Sequence, residues 1–253
     1  MTAEPVTWVL LALFGLIGGV GITTVGAGGV LPTIGLFALT ALTPAQVAGT
    51  AIVTHVATGT LGAAAYARSG QLREPATRRT AQLLAGTAVV GTPIGVLINS
   101  VVSERAFGLV LGVFVVLVAG LVWYRERRQP TAAPVHPSAT RVVPLGLVVA
   151  TASGIVGIGG PMLTVPLLVA LGVPVLESLA AAQVQSIVIA GVGTVGYLLA
   201  GAVDWPLAVL VGIPELVGVL IGWKIARALP TRSLKYALII TLLALAPYLV
   251  LHG

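Results

Sequence analysis

The sequence predicts an all-α polytopic membrane protein made of two inverted repeats. Each repeat is a re-entrant, glycine-broken helical hairpin followed by three transmembrane helices. Three observations carry that expectation. The 253-residue chain is 57% hydrophobic and only 8% charged, with a mean hydropathy of +1.09; a soluble domain carries about 25% charged residues, so this chain cannot cover a water-facing surface. Two nearly identical glycine clusters, Gly26-Ala27-Gly28-Gly29 and Gly157-Ile158-Gly159-Gly160, stand 131 positions apart. Finally, the basic residues gather in three polar stretches, where they set membrane orientation.

Taken in order, residues 5–67 contain no Asp, Glu, Lys or Arg. Met1 to Pro5 holds no Lys or Arg, and the apolar run behind it is too long for a cleavable signal. The first segment, 6–42, is interrupted by its glycine cluster, because glycine favours leaving a helix. Spans follow at 45–67, 80–102 and 105–124. The stretch 125–141 is polar and proline-rich, a linker. It separates a first repeat (1–124) from a second (142–253) within one integral-membrane domain. The second half opens with 143–173 and continues with spans at 178–200, 206–228 and 234–251.

The halves match in register. At a shift of 131, Gly26, Gly28 and Gly29 fall on Gly157, Gly159 and Gly160, Thr33 on Thr164, Gly62 on Gly193, Tyr66 on Tyr197, and Gly70 on Gly201. At a shift of 127, Gly91 and Gly95 fall on Gly218 and Gly222, and Arg105 on Arg232.

Orientation follows from charge. Arg68, Arg73, Arg78 and Arg79 mark loop 68–79; Arg125, Arg127, Arg128 and Arg141 mark the linker; Lys224, Arg227, Arg232 and Lys235 mark loop 224–235. The positive-inside rule makes all three cytoplasmic. Loop 201–205, with Asp204 and no Lys or Arg, is external. Segment 143–173 must then leave the cytoplasm and return to it in 31 residues, whereas two full crossings need roughly 40. A hairpin of two short helices with Gly157–Gly160 near its tip is the economical answer, and 6–42 becomes its counterpart from outside. Trp123, Tyr124, Trp205 and Trp223 sit beside charged residues, as headgroup-level rings do.

Broken helices at matching places in two halves point to a transport site near the midplane. A restarting helix exposes unpartnered N–H groups with partial positive charge, a ready anion site. The candidate substrate-binding residues are therefore Gly26, Gly28, Gly29, Gly157, Gly159 and Gly160. Gln46, Thr50, Gln183, Gln185 and Ser186 join them as uncharged donors that carry no buried-charge cost. Interhelical hydrogen bonding is the competing role of these side chains, and tight helix packing that of the glycines. Packing is the expected role of Gly91, Gly95, Gly218 and Gly222. Glu215 and His55 fall mid-span, where ionisable groups default to functional hypotheses such as proton relays. With no mid-membrane Lys or Arg to pair with Glu215, protonation is its remedy.

The motif Gly157-x-Gly159-Gly160 with Pro166-Leu167 after it, together with the length and the duplication, resembles the sulfite exporter TauE/SafE family of membrane permeases. The chain departs from that pattern at Val30 and Pro161, where the family often has another glycine, and Pro166 has no counterpart in the first half. The resemblance implies export of small sulfur-containing anions such as sulfite or organosulfonates, driven by an ion gradient across the cell (plasma or inner) membrane.

Other classes are weaker. The net charge of +6 sits in short loops and does not suggest nucleic acid. There are no cysteines and only three histidines, no His-Glu-x-x-His, no Gly-x-Ser-x-Gly and no phosphate-binding Gly-Lys-Ser/Thr, so an enzyme is disfavoured and neither metal nor cofactor is expected. A passive anion channel could use the same hairpin tips. The expected partners are a small anion and the bilayer, and a homodimer is compatible with this picture.

Overall fold

The computed structural model describes residues 5–127 and 137–228, and every regular element among them is helical. The first half contains α1 (Pro5–Thr24), α2 (Val30–Leu39), α3 (Pro44–Arg68), α4 (Pro75–Asn99) and α5 (Glu104–Arg127). The second contains α6 (Ala139–Val156), α7 (Pro161–Ala170), α8 (Val175–Leu199) and α9 (Trp205–Ala228). Among the described residues, seven helices are long and apolar enough to cross a membrane: all but α2 and α7. The expected span 234–251, most of the linker 125–141 and the end of loop 224–235 lie outside the described residues.

Both glycine-broken segments fold back on themselves. Gly18 of α1 abuts Pro32 of α2, and Phe14 of α1 abuts Gly35 of α2, so the two helices run antiparallel. The arms differ from the expectation of two short helices. The second arms, α2 and α7, have 10 residues each, about 15 Å of helix. The first arms, α1 and α6, have 20 and 18 residues, roughly 30 and 27 Å, enough to cross the hydrocarbon core. The glycines of α1 do not break it because packing outweighs the ~1 kcal/mol propensity cost of each. Gly15 and Gly19 sit against the backbone carbonyls of Val211 and Glu215 on α9, where no side chain would fit.

That close approach is reciprocal. Gly218 and Gly222 of α9 lie against the carbonyls of Leu16 and Val20 on α1, and Gly91 and Gly95 of α4 lie against those of Leu147 and Thr151 on α6. The glycines expected to pack helices do so, as small residues do at membrane helix interfaces. Residue numbers rise together along each pair, so α1 runs parallel to α9, and α4 to α6. The central helices α3 and α8 run antiparallel, with Gly62 facing Gln183 and Gly193 facing Ile52. These two contacts interchange under the shift of 131.

Helix α4 begins at Pro75, five residues before the expected start at 80. Proline at the first helical position loses nothing, since its missing N–H would have no partner there. Arg78 and Arg79 consequently ride on the first turns of the helix, exposed, instead of in a loop.

Candidate functional site

Each break opens on a glycine in the left-handed region, Gly26 at φ 87° and Gly157 at φ 75°, a conformation costly for residues with a Cβ. Three residues upstream of each, a buried tyrosine fixes the end of the first arm. The Tyr66 hydroxyl donates to the Thr23 carbonyl at 2.6 Å, and the Tyr197 hydroxyl donates to the Gly154 carbonyl at 2.7 Å. The second arms start at Gly29 and Gly160, neither of which is capped by a side chain. Pro32 and Pro161 carry no N–H, and the Leu31 N–H donates to the Gly28 carbonyl at 3.0 Å, so the first-turn donors left to the surroundings of the breaks are those of Val30 on α2 and of Met162 and Leu163 on α7.

Those surroundings are shared between the halves. A Cβ at Gly26 would meet Val165 and the Pro161 carbonyl of α7. A Cβ at Gly29 would meet Nε2 of His55, and one at Gly159 would meet both the Ser186 hydroxyl and the His55 ring. One at Gly160 would meet Oε1 of Gln185. His55, from the middle of α3, thus touches both breaks. Gly28 faces the other way, against the Gly18 carbonyl and Ile22 of α1, and packs its own hairpin.

Around His55 the polar groups form one cluster. Nε2 of His55 lies 3.1 Å from the Gly29 carbonyl oxygen. Its Nδ1 lies 3.1 Å from the Thr54 hydroxyl and 3.5 Å from Oε1 of Glu215. The Thr54 hydroxyl is also 2.5 Å from Oε2 of Glu215 and 2.9 Å from the Ala51 carbonyl. Glu215 has no exposed surface, and His55 almost none. Among the described residues they are the only buried groups of ordinary acid–base range, and no Lys or Arg is buried with them. Two such side chains fall short of a metal set, and no group of three or more His, Cys, Asp or Glu comes together among the described residues.

Across the pseudo-symmetric position the chemistry is neutral. Gln185 occupies the place of Thr54, and its Oε1 accepts from the Thr164 hydroxyl at 2.6 Å while its Nε2 reaches the Gly146 carbonyl at 3.4 Å. Ser186 occupies the place of His55. Gln183 is fully buried against Gly62, and neither end of its amide has a partner among the described residues. Thr33, the counterpart of Thr164, likewise has an unpartnered buried hydroxyl.

Two of the sequence candidates lie elsewhere. Gln46 forms a capping box with Thr43 at the start of α3: its Oε1 accepts from the Thr43 N–H at 3.0 Å, and its own N–H donates to the Thr43 hydroxyl at 3.4 Å. The Thr50 hydroxyl accepts the Asp204 N–H at 2.9 Å, tying α3 to the loop ahead of α9. Sequence reasoning treated Glu215 and His55 as separate candidates, and the structure makes them neighbours. Thr54, one of the polar uncharged residues that follow the first hairpin in the sequence, bridges the two.

The chain is similar to known membrane-transport proteins. The family model for the sulfite exporter TauE/SafE matches residues 11–249. The probable membrane transporter protein YdhB of Bacillus subtilis (strain 168) is 28% identical over 239 residues, which is 92% of this chain and 95% of that protein. No solved structure matches.

Proposed function

The chain belongs to the sulfite exporter TauE/SafE family, and from that premise we propose that it is a secondary transporter exporting small sulfur-containing anions, sulfite or organosulfonates. The family is one of integral membrane transporters, and the seven apolar helices agree with a plasma-membrane protein. The anion is held at the starts of α2 and α7, and transport is coupled to protons through Glu215 and His55. One observation supports this most: two uncapped helix starts converge on a buried His–Glu pair, with no buried Lys or Arg among the described residues to take the role. Helix starts supply positive potential without the desolvation cost of a cation.

Alternating access fits two inverted repeats rocking about a fixed site. The antiparallel α3–α8 pair, the interchanged Gly62–Gln183 and Gly193–Ile52 contacts, and the matched tyrosine bonds support that architecture. The ten-residue second arms support re-entrance, since about 15 Å of helix cannot cross the hydrocarbon core.

Binding of sulfite and methanesulfonate to purified protein, measured by calorimetry, tests the proposal. Gly159→Leu should abolish binding, because even its Cβ would press on the Ser186 hydroxyl and the His55 ring at the break, and thermal unfolding separates loss of the site from loss of the fold. Ser186→Ala should weaken binding without loss of fold. Unchanged affinity in both variants would mean that the second break only packs helices.

A further inference from the structure

Resting on the carrier reading, we infer that Glu215, His55 and Thr54 form one unit that keeps a single resident proton and takes up a second with each anion. The carrier then moves a singly charged oxyanion, a sulfonate or hydrogensulfite, together with one proton and excludes doubly charged ones, the fully deprotonated sulfite ion included.

The argument is a count of donors. A carbonyl oxygen can only accept, so Nε2 of His55, facing the Gly29 carbonyl, carries a hydrogen. The single hydrogen of the Thr54 hydroxyl has three acceptors within reach: the Ala51 carbonyl, Oε2 of Glu215 and Nδ1 of His55. It can serve one. If Glu215 were ionised and His55 neutral, the Nδ1 lone pair and Oε1 would face each other across 3.5 Å with no hydrogen between them. One further proton resolves this, either on the carboxyl group or on Nδ1. In both forms the unit has zero net charge, which is what a buried site tolerates. A second proton leaves an imidazolium beside a carboxylic acid, with net charge +1.

Among the described residues, no other titratable group is paired with the unit. Helices α1, α2 and α7 carry none. On α3 the remaining ones are Tyr66, bonded to the Thr23 carbonyl, and Arg68 at the exposed end. On α8 they are Glu177, near its start, and Tyr197, bonded to the Gly154 carbonyl. On α9 they are Lys224, exposed, and Arg227, both in the final turns. The doubly protonated unit therefore neutralises one negative charge. A dianion would leave a net negative charge in a site without a buried Lys or Arg among the described residues, at large cost. Each cycle takes one proton from the aqueous phase where the anion binds and returns it where the anion leaves, so an outward anion gradient drives export and an inward proton gradient opposes it. The charge moved is zero.

The test uses proteoliposomes with the membrane potential set by potassium and valinomycin. Methanesulfonate, a tetrahedral monoanion, and sulfate, a tetrahedral dianion, are the probes. Wild-type methanesulfonate uptake should be accompanied by one proton per anion and should not respond to the imposed potential. Sulfate should compete at least ~10-fold more weakly. Glu215→Gln should lose proton uptake, and its remaining anion flux should follow the potential; His55→Gln should do the same. The wild-type arms decide the matter even if a variant fails to fold. Potential-driven methanesulfonate flux without protons, or sulfate competing equally, overturns this inference and leaves the carrier reading standing. Absence of both binding and flux for every sulfur oxyanion overturns the carrier reading and this inference with it.

Discussion

The two halves of the molecule agree in scaffold and differ in chemistry. Tyr66 holds Thr23 as Tyr197 holds Gly154, Gly26 and Gly157 share a left-handed backbone, and Gly70 and Gly201 do so as well after α3 and α8. Yet where the first half presents Thr54 and His55 to Glu215, the second presents Gln185 and Ser186 to Thr164 and Gly159. Backbone devices that shape a break are repeated because each break needs the same turn. The titratable pair is not repeated; under the proposed coupling one exchangeable charge is enough, and a second would add another buried ionisable pair.

The sharpest way to break this comparison is topological. Ser69 and Ala200 are related by the shift of 131, and this chain has no cysteine of its own. Ser69→Cys should react with an impermeant thiol reagent only from the cytoplasmic side, and Ala200→Cys only from outside. Labelling of both from one side would leave a duplication without inversion. A smaller effect sharpens the shared scaffold. Tyr66→Phe and Tyr197→Phe each leave a buried carbonyl without its donor, so each should cost about 1–3 kcal/mol in unfolding experiments. Costs differing by more than a factor of two to three would mean that the two anchors are not equivalent. The smallest effect concerns a residue outside the cluster. Gln46→Ala removes half of a capping box and should cost about 0.5–1 kcal/mol with no change in anion affinity. A lost affinity would place Gln46 in the site after all.

Much of this was legible beforehand, for physical reasons. The breaks were visible because glycine clusters are rare punctuation in helical sequence, and the register was visible because Tyr66 and Tyr197 must each reach a carbonyl. The length of the first arms was not visible: glycine lowers helix propensity, and only the packing shows that Gly15 and Gly19 admit the backbone of α9 while Gly18 admits Pro32 of α2. The pairing of His55 with Glu215, 160 positions away, depends on tertiary packing that no local pattern reports. The role of Gln46 was available locally, since Thr43-Pro-Ala-Gln46 before an apolar run spells a capping box. Thr50 carried no such signal, because its partner is the Asp204 backbone.

The most direct test is sulfite accumulation in proteoliposomes driven by an imposed pH gradient, comparing wild type, Glu215→Gln and Gln185→Leu. The asymmetry between halves predicts that wild type accumulates sulfite against its gradient. Glu215→Gln should bind sulfite yet lose accumulation. Gln185→Leu, which removes only the neutral counterpart, should keep its proton dependence even where stability and rate fall. Accumulation by Glu215→Gln with the wild-type pH profile would contradict the account and make the buried carboxyl group a structural hydrogen-bonding partner of Thr54.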